Sequence, residues 1–393
     1  MIACVMADPI EDVARWFQGK TEAMEAALVP LVHINSFTEN VEGGRTVGER
    51  LRDDLFKIPG LSAEVVPSER FSDHLIFRSH GKDDKEPVVL VGHLDTVFPP
   101  GTFEGYTRDG DVARGPGVLD MKGGLVVMAY AIRAIAETVG LGAVPPLRVV
   151  VVSDEEVGSP EGQGIITRAS ARAGAALVFE AGRKADAIIT RRKGTGAMKA
   201  VAHGRAAHAG ANHKDGANAI WALARFVDLA QQKTDYGRGI TVNVGRVAGG
   251  ESKNTVPDRA EANLDIRFET KGDAEWLIAA LGEAAQEAAA GVPGTRIELT
   301  GGASRLPLER TEASAALLAE YGACAAAVGL GASEASLIGG GSDASTTSAM
   351  GIPSIDGLGP RGSGFHTKDE LSELSTFVPK AEAVARFLIG RGR

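Results

Sequence analysis

The sequence predicts an α/β protein: a mixed, mostly parallel sheet covered by helices on both faces, into which a smaller α+β domain is inserted. Two observations carry this. Short, continuously apolar strand runs (Val88 to Val91, Leu147 to Val152, Ala175 to Phe179) alternate with helical runs, and such strands are buried on both faces. After Glu180 the pattern changes to strands of partial alternation, and apolar strands return only near Ile352. At 393 residues, with a soft prior of one domain per ~150, the chain reads as two domains. The expected division is a catalytic domain over 1–188 and 303–393, interrupted by a lid or dimerisation domain over 189–302.

From Ile10 to Phe37 apolar residues recur at helical spacing, with Pro30 expected to bend or break the run. Thr46 to Leu55 reads as a second helix. Ala63 to Val66 and His74 to Arg78 read as strands leading into the run from Val88. The stretch Phe98 to Gly117 reads as a long loop rich in glycine and proline, of the kind that collects binding residues beside a strand end. Leu125 to Glu137 is an apolar helix. In the inserted segment, Ile188 to Ile189, Gly196 to Ala202, Ile240 to Val247 and Ala260 to Phe268 read as strands, with helices over Ala217 to Gln232 and Asp273 to Ala289. The return comprises a helix over Ala313 to Ala327, a strand starting at Ser336 to Ile338, a strand over Ile352 to Leu358, and a closing helix over Phe377 to Ile389.

Composition narrows the function. The net charge of -9 and the lack of a basic stripe argue against a binder that works by neutralising phosphates. Cys4 and Cys324 are the only cysteines, too few for a disulfide framework or a thiolate metal site, so any metal must sit on His, Asp and Glu. The N-terminal residues show no basic region followed by a long apolar run, and the expected location is cytoplasmic.

Three strands deliver such residues to their carboxyl ends, the ligand-binding edge of an open α/β sheet: His93, Glu155 with Glu156, and Glu180. In extended chain, His93 and Asp95 point the same way, as a ligand and its hydrogen-bonding partner do. Asp120, flanked by Gly117 and Gly123, is placed to bridge two ions, and His366 adds a second imidazole. Two imidazoles and several carboxylates suit one or two Zn²⁺, and Co²⁺ or Mn²⁺ fit the same donors. With two ions ~3.5 to 4 Å apart, a shared hydroxide becomes a nucleophile near neutral pH. The adjacent Glu155 and Glu156 invite a division of labour, one working as general base while the other ligates. GGGSDAS, Gly339 to Ser345, lacks the Lys-Ser/Thr ending of a phosphate loop.

VGHLDTVFP, GPGVLDMKGG, SDEEVGS, FEAG, GRAAHAGA, GGGSDAS and GFHTKDE, in this order, resemble the M20 family of metallopeptidases, and most closely its glutamate carboxypeptidase branch. The resemblance implies a zinc-peptidase-like catalytic domain with two Zn²⁺ per subunit. His93 and Glu180 would hold one ion, Glu156 and His366 the other, with Asp120 bridging, Asp95 orienting His93 and Glu155 as general base. It also implies a non-prolyl cis peptide from Asp120 to Met121. Glutamate at position 180 accompanies carboxypeptidase or deacylase members, whereas aminopeptidase members carry aspartate. His208 would stabilise the oxyanion of the tetrahedral intermediate. Arg267 would grip the substrate α-carboxylate, with Asn254 and the backbone of Gly340 and Gly341 in the same region.

His203 lies outside the family pattern and reads as structural or exposed, and Arg191, Arg192 and Lys193 read as a solvated cluster near the hinge. The expected activity is release of a C-terminal amino acid, glutamate foremost, from N-acyl or peptidyl substrates, by a homodimer formed through the inserted domain. The alternative is an N-acyl amino acid deacylase of the acetylornithine deacetylase or aminoacylase type, which would use the same residues. A non-catalytic scaffold would lack a ligand or Glu155, and none is missing.

Overall fold

The computed structural model describes residues 8–393, so Cys4 lies outside the described residues. The described residues divide into two compact units, one of 8–191, 310–337 and 342–393, the other of 192–309 and 338–341. These run a few residues past the boundaries read from sequence. The strand Arg296–Arg305 carries the second unit beyond 302, and Lys193 N–H, bonded to the Ile338 carbonyl at 2.9 Å, ties in the short segment from 338.

The first unit is built on a six-stranded sheet with the order Ser62–Val66, His74–Arg78, Leu147–Val152, Val88–His93, Ala175–Val178, Ser354–Ile355. The first three strands pair antiparallel and the last four parallel, so this is the mixed sheet that the sequence predicts. The Val88–His93 strand is buried at every residue. In register, His93 faces Val152 and Val91 faces Val178, so the carboxyl ends of three strands finish level on one edge. The helix Lys122–Thr138 is buried nearly all round, as befits a helix apolar on every side. Its start explains the glycines of DMKGG: a Cβ on Gly124 would stand 2.2 Å from the Phe179 carbonyl oxygen, and one on Gly123 2.3 Å from that of Val118. Only glycine lets the Asp120 loop come that close to the strand leading to Glu180.

Several local readings are corrected. The N-terminal helical run breaks at Gly19, which has a φ of 71°, into Pro9–Phe17 and Thr21–Val32. Pro30 does not break the second helix, which runs two residues past it. The stretch 98–117 is not all loop. It holds a hairpin, Thr107–Asp109 and Val112–Arg114, that pairs with Leu371–Glu373 in a second, four-stranded sheet. Ser336 to Ile338 forms only an isolated bridge through Ile338, and Ile352 to Leu358 contributes only Ser354–Ile355 as strand.

The second unit is a four-stranded antiparallel sheet, order Thr241–Gly249, Arg259–Phe268, Gly194–His203, Arg296–Arg305, with the helices Ala219–Gln231 and Lys271–Ala290. Buried residues alternate with mostly part-buried ones along Gly194–His203. Leu223 and Phe226 from one helix and Leu277 and Leu281 from the other join Leu264, Ile266 and Phe268 in a core of their own. Among the described residues no helix is long and apolar enough to cross a membrane.

Candidate metal centre

The level strand ends of the first unit bring the candidate ligands together. His93 Nε2 lies 3.2 Å from Asp120 Oδ1 and 3.9 Å from Glu180 Oε1. His366 Nε2 lies 3.4 Å from Asp120 Oδ2 and 3.1 Å from Glu156 Oε2. Asp120 thus turns one oxygen to each imidazole. His93, Asp120 and Glu156 form one group whose ligand atoms lie within 4.8 Å of one another, and His93, Glu155 and Glu180 form another. The Asp120–Met121 peptide bond is cis. His366 has a φ of 63°, in the left-handed region that non-glycine residues seldom occupy.

Asp95 does more than orient an imidazole. Its main-chain carbonyl lies 2.9 Å from His93 Nδ1, and because a carbonyl can only accept, Nδ1 carries the hydrogen and Nε2 faces the carboxylates. Its side chain accepts from the backbone N–H of Glu155 at 3.2 Å, the N–H of Glu156 at 3.1 Å and the Thr38 hydroxyl at 2.7 Å. The sequence reading missed Thr38, which no motif marks. It also gave no role to Glu370, the last letter of GFHTKDE.

The electrostatics fit a cation. Burial pushes the Glu156 carboxyl up to about 8, with Asp120 and Glu155 adding in the same direction against His366 and His93. Glu180 is raised well above its ordinary value by burial and by the charges of Asp120 and Glu155. Burial works against charge on His93, yet its contacts with Asp120 and Asp95 raise it well above an ordinary imidazole. His366 is held up to about 10, chiefly by its hydrogen bonds to Asp120 and Glu156. Burial opposes ionisation of Asp120, but the two imidazoles outweigh it and hold the carboxyl far below its usual range. Buried carboxylates crowded around two imidazoles, all oxygen and nitrogen donors, are the donor set of a divalent-cation site.

The remaining candidates lie in the second unit. His208 belongs to a two-stranded ribbon, Ala207–His208 with Thr255–Val256, and the Ala209 N–H donates to the Asn254 carbonyl at 2.9 Å, so His208 and Asn254 are neighbours. His208 Nδ1 accepts from the N–H groups of Gly210 at 3.1 Å and Ala211 at 3.0 Å, which leaves Nε2 as the donor on an exposed ring. Arg267 makes a two-pronged contact with Asp265 at 2.8 Å through Nε and Nη2. Gly341 is close-packed with Arg305, whose Cδ would lie 3.1 Å from an added Cβ, and Arg192 Nη1 donates to the Gly340 carbonyl at 3.4 Å. Arg192 is 4% exposed and its backbone is bonded to Leu308, which corrects the reading of a solvated cluster at that position. His203 Nε2 lies 3.3 Å from Glu298 Oε2, partly exposed.

Residues 190–293 match the family model of the peptidase dimerisation domain. The chain is 27% identical over 389 residues to carboxypeptidase G2 of Pseudomonas sp. (strain RS-16), covering 96% of this chain and 92% of that protein. Its fold is similar to that of the aminopeptidase PepT from Bacillus cereus, with a TM-score of 0.77 at 22% identity, covering 95% of this chain and 99% of that one. It is also similar to Bacillus subtilis YxeP, described as a dinuclear metal-binding peptidase of the M20 family, with a TM-score of 0.70 at 16% identity, covering 95% of this chain and 98% of that one. An aminopeptidase among the structural neighbours means that the fold leaves open which end of a peptide is cut.

Proposed function

We propose, from the premise that the chain belongs to the M20 family of metallopeptidases, that it is a two-metal carboxypeptidase releasing a C-terminal glutamate from N-acyl or peptidyl substrates. The observation that carries the reading is the meeting of His93, Asp120, Glu156, Glu180 and His366 around Asp120, with Glu155 beside them. His93 and Glu180 would hold one Zn²⁺, Glu156 and His366 the other, and Asp120 both. Two such ions lower the pKa of water and polarise the carbonyl under attack.

The chain's own residues do the rest. Glu155, whose N–H is fixed by Asp95, takes a proton from the attacking water and passes it to the leaving amine. His208, with Nε2–H as its donor, stabilises the developing oxyanion. Arg267, with Asn254 and the Gly340 and Gly341 backbone, receives the substrate α-carboxylate, a task that suits a planar guanidinium. The match to a dimerisation domain supports a homodimer through the second unit.

The test is amine release by the zinc- or cobalt-loaded protein from a panel pairing N-acetyl, N-benzoyl, pteroyl and aminoacyl groups with different C-terminal amino acids. Fast release confined to glutamate across the acyl groups is expected. A preference set by the acyl group, with the amino acid free to vary, would replace this reading with that of an N-acyl amino acid deacylase.

A further inference from the structure

Glu370 is 1% exposed and lies four residues past His366. Its Oε1 accepts the N–H groups of Leu119 at 2.9 Å and Asp120 at 3.0 Å, and its Oε2 accepts that of Gly117 at 3.2 Å. Three amides of the Asp120 loop therefore converge on one carboxylate. Such a backbone concavity is built for an anion, and Gly117, with a φ of 81°, supplies the left-handed turn that helps to shape it. The same glutamate closes the His366 turn, in which the Thr367 N–H donates to the Gly364 carbonyl at 3.0 Å and the Glu370 N–H to the Thr367 carbonyl at 3.2 Å. Directly after it, the strand Leu371–Glu373 pairs with Val112–Arg114, just upstream of the Asp120 loop. One side chain thus joins the loop carrying the bridging candidate to the loop carrying the second imidazole. These hydrogen bonds all go to backbone amides, while its charge is also felt by the Asp120 carboxylate.

We propose that Glu370 is a positioning residue that locks the Asp120 and His366 loops into one body, so that both ligands are presented to the metal centre together. The proposal rests on the metallopeptidase reading above. Partners behind the ligands of a metal site typically govern 10- to 100-fold in affinity, and roughly that loss is expected here.

The test compares the full chain, freed of metal by chelation, as wild type, Glu370→Gln and Leu147→Ala. Gln keeps the shape but replaces one acceptor with a donor, and Leu147 is a buried residue at the opposite end of its strand from the site. Co²⁺ affinity is measured by calorimetry, and amide exchange is followed over 117–121 and 364–369. Glu370→Gln should weaken Co²⁺ binding roughly 10- to 100-fold and speed exchange in both loops. Leu147→Ala should lower Tm yet leave both readouts in place. Unchanged Co²⁺ affinity in Glu370→Gln, or faster exchange in 117–121 alone, would overturn the proposal. If Glu370→Gln does not fold, Glu370→Asp, which keeps the charge and shortens the reach, is measured against the same outcomes. A wild type that takes up no Co²⁺ would defeat the metallopeptidase reading, and the exchange pattern would still decide for or against the lock.

Discussion

The two units hold their candidate residues in opposite ways. In the first, His93, Asp95, Asp120 and Glu180 are buried, the Asp95 carboxylate accepts from the backbone of Glu155 and Glu156 at another strand end, and Glu370 accepts from the amides of the Asp120 loop. In the second, His208, Asn254 and Arg267 are exposed or half-exposed and take their side-chain hydrogen bonds from residues two or three positions away. Ligands need fixed spacing, which long-range contacts in a packed core supply. Groups that meet a substrate on a more open surface can be held by local turns and adjust on binding. Metal content should therefore answer to the first unit, and turnover to both.

The largest expected effect lies within the first unit. Glu155→Ala should keep fold and metal content while turnover falls by ~10²- to 10⁴-fold, whereas Glu156→Ala should lose metal as well. Metal analysis beside a kinetic assay checks this, and normal turnover in Glu155→Ala would remove it as the base. Next, His208→Ala should cost about 2.7 to 4 kcal/mol in kcat with metal content intact. If that variant lost metal, the separation between the units would fail.

Metal binding should also depend on pH. Glu156, held up to about 8 by burial, and His366, held up to about 10 mainly by Asp120, keep protons in the metal-free protein that ligation must expel. The sign follows: binding releases protons, and affinity rises as pH climbs from neutrality through 8 and further as His366 deprotonates. Calorimetry in buffers of different ionisation heat would read the released protons, and an affinity flat with pH would contradict it. The smallest effect is expected at Asp265→Asn, which frees the Arg267 fork. An exposed pair of this kind is worth ~0.2 to 1 kcal/mol, so KM should fall by about fivefold at most. A rise in KM would show that Asp265 presents Arg267 rather than competing with the substrate.

Where the sequence was legible, one physical signal dominated. Continuous apolar runs gave the three central strands, and the polar residues that ended them gave His93, Glu155, Glu156 and Glu180. Where that signal was mixed, the reading failed. Arg296–Arg305 is a full strand of the second unit, but it contains Gly301 and Gly302, the first with a φ of 91°, and two glycines in a half-exposed edge strand look like a turn. The hairpin within 98–117 has strands of three residues, shorter than any alternation can reveal. Arg192 read as solvated because its neighbours are basic, and only the tertiary fold buries it. Thr38 and Glu370 act through backbone amides or a neighbour's carboxylate, and such contacts leave no pattern in spacing.

Asp95 bears on attempts to re-engineer the centre. Its hold on the His93 ring passes through a main-chain carbonyl that every amino acid possesses, at 2.9 Å from Nδ1, as well as a carboxylate oxygen at 3.3 Å, whereas its hold on the two glutamates passes through the carboxylate alone. A library randomised at position 95 would thus be filtered first by the glutamate turn, since the imidazole keeps its carbonyl partner whatever the side chain. Selection for a different metal would make little headway there, and positions around the half-exposed ring of His366 offer the freer ground.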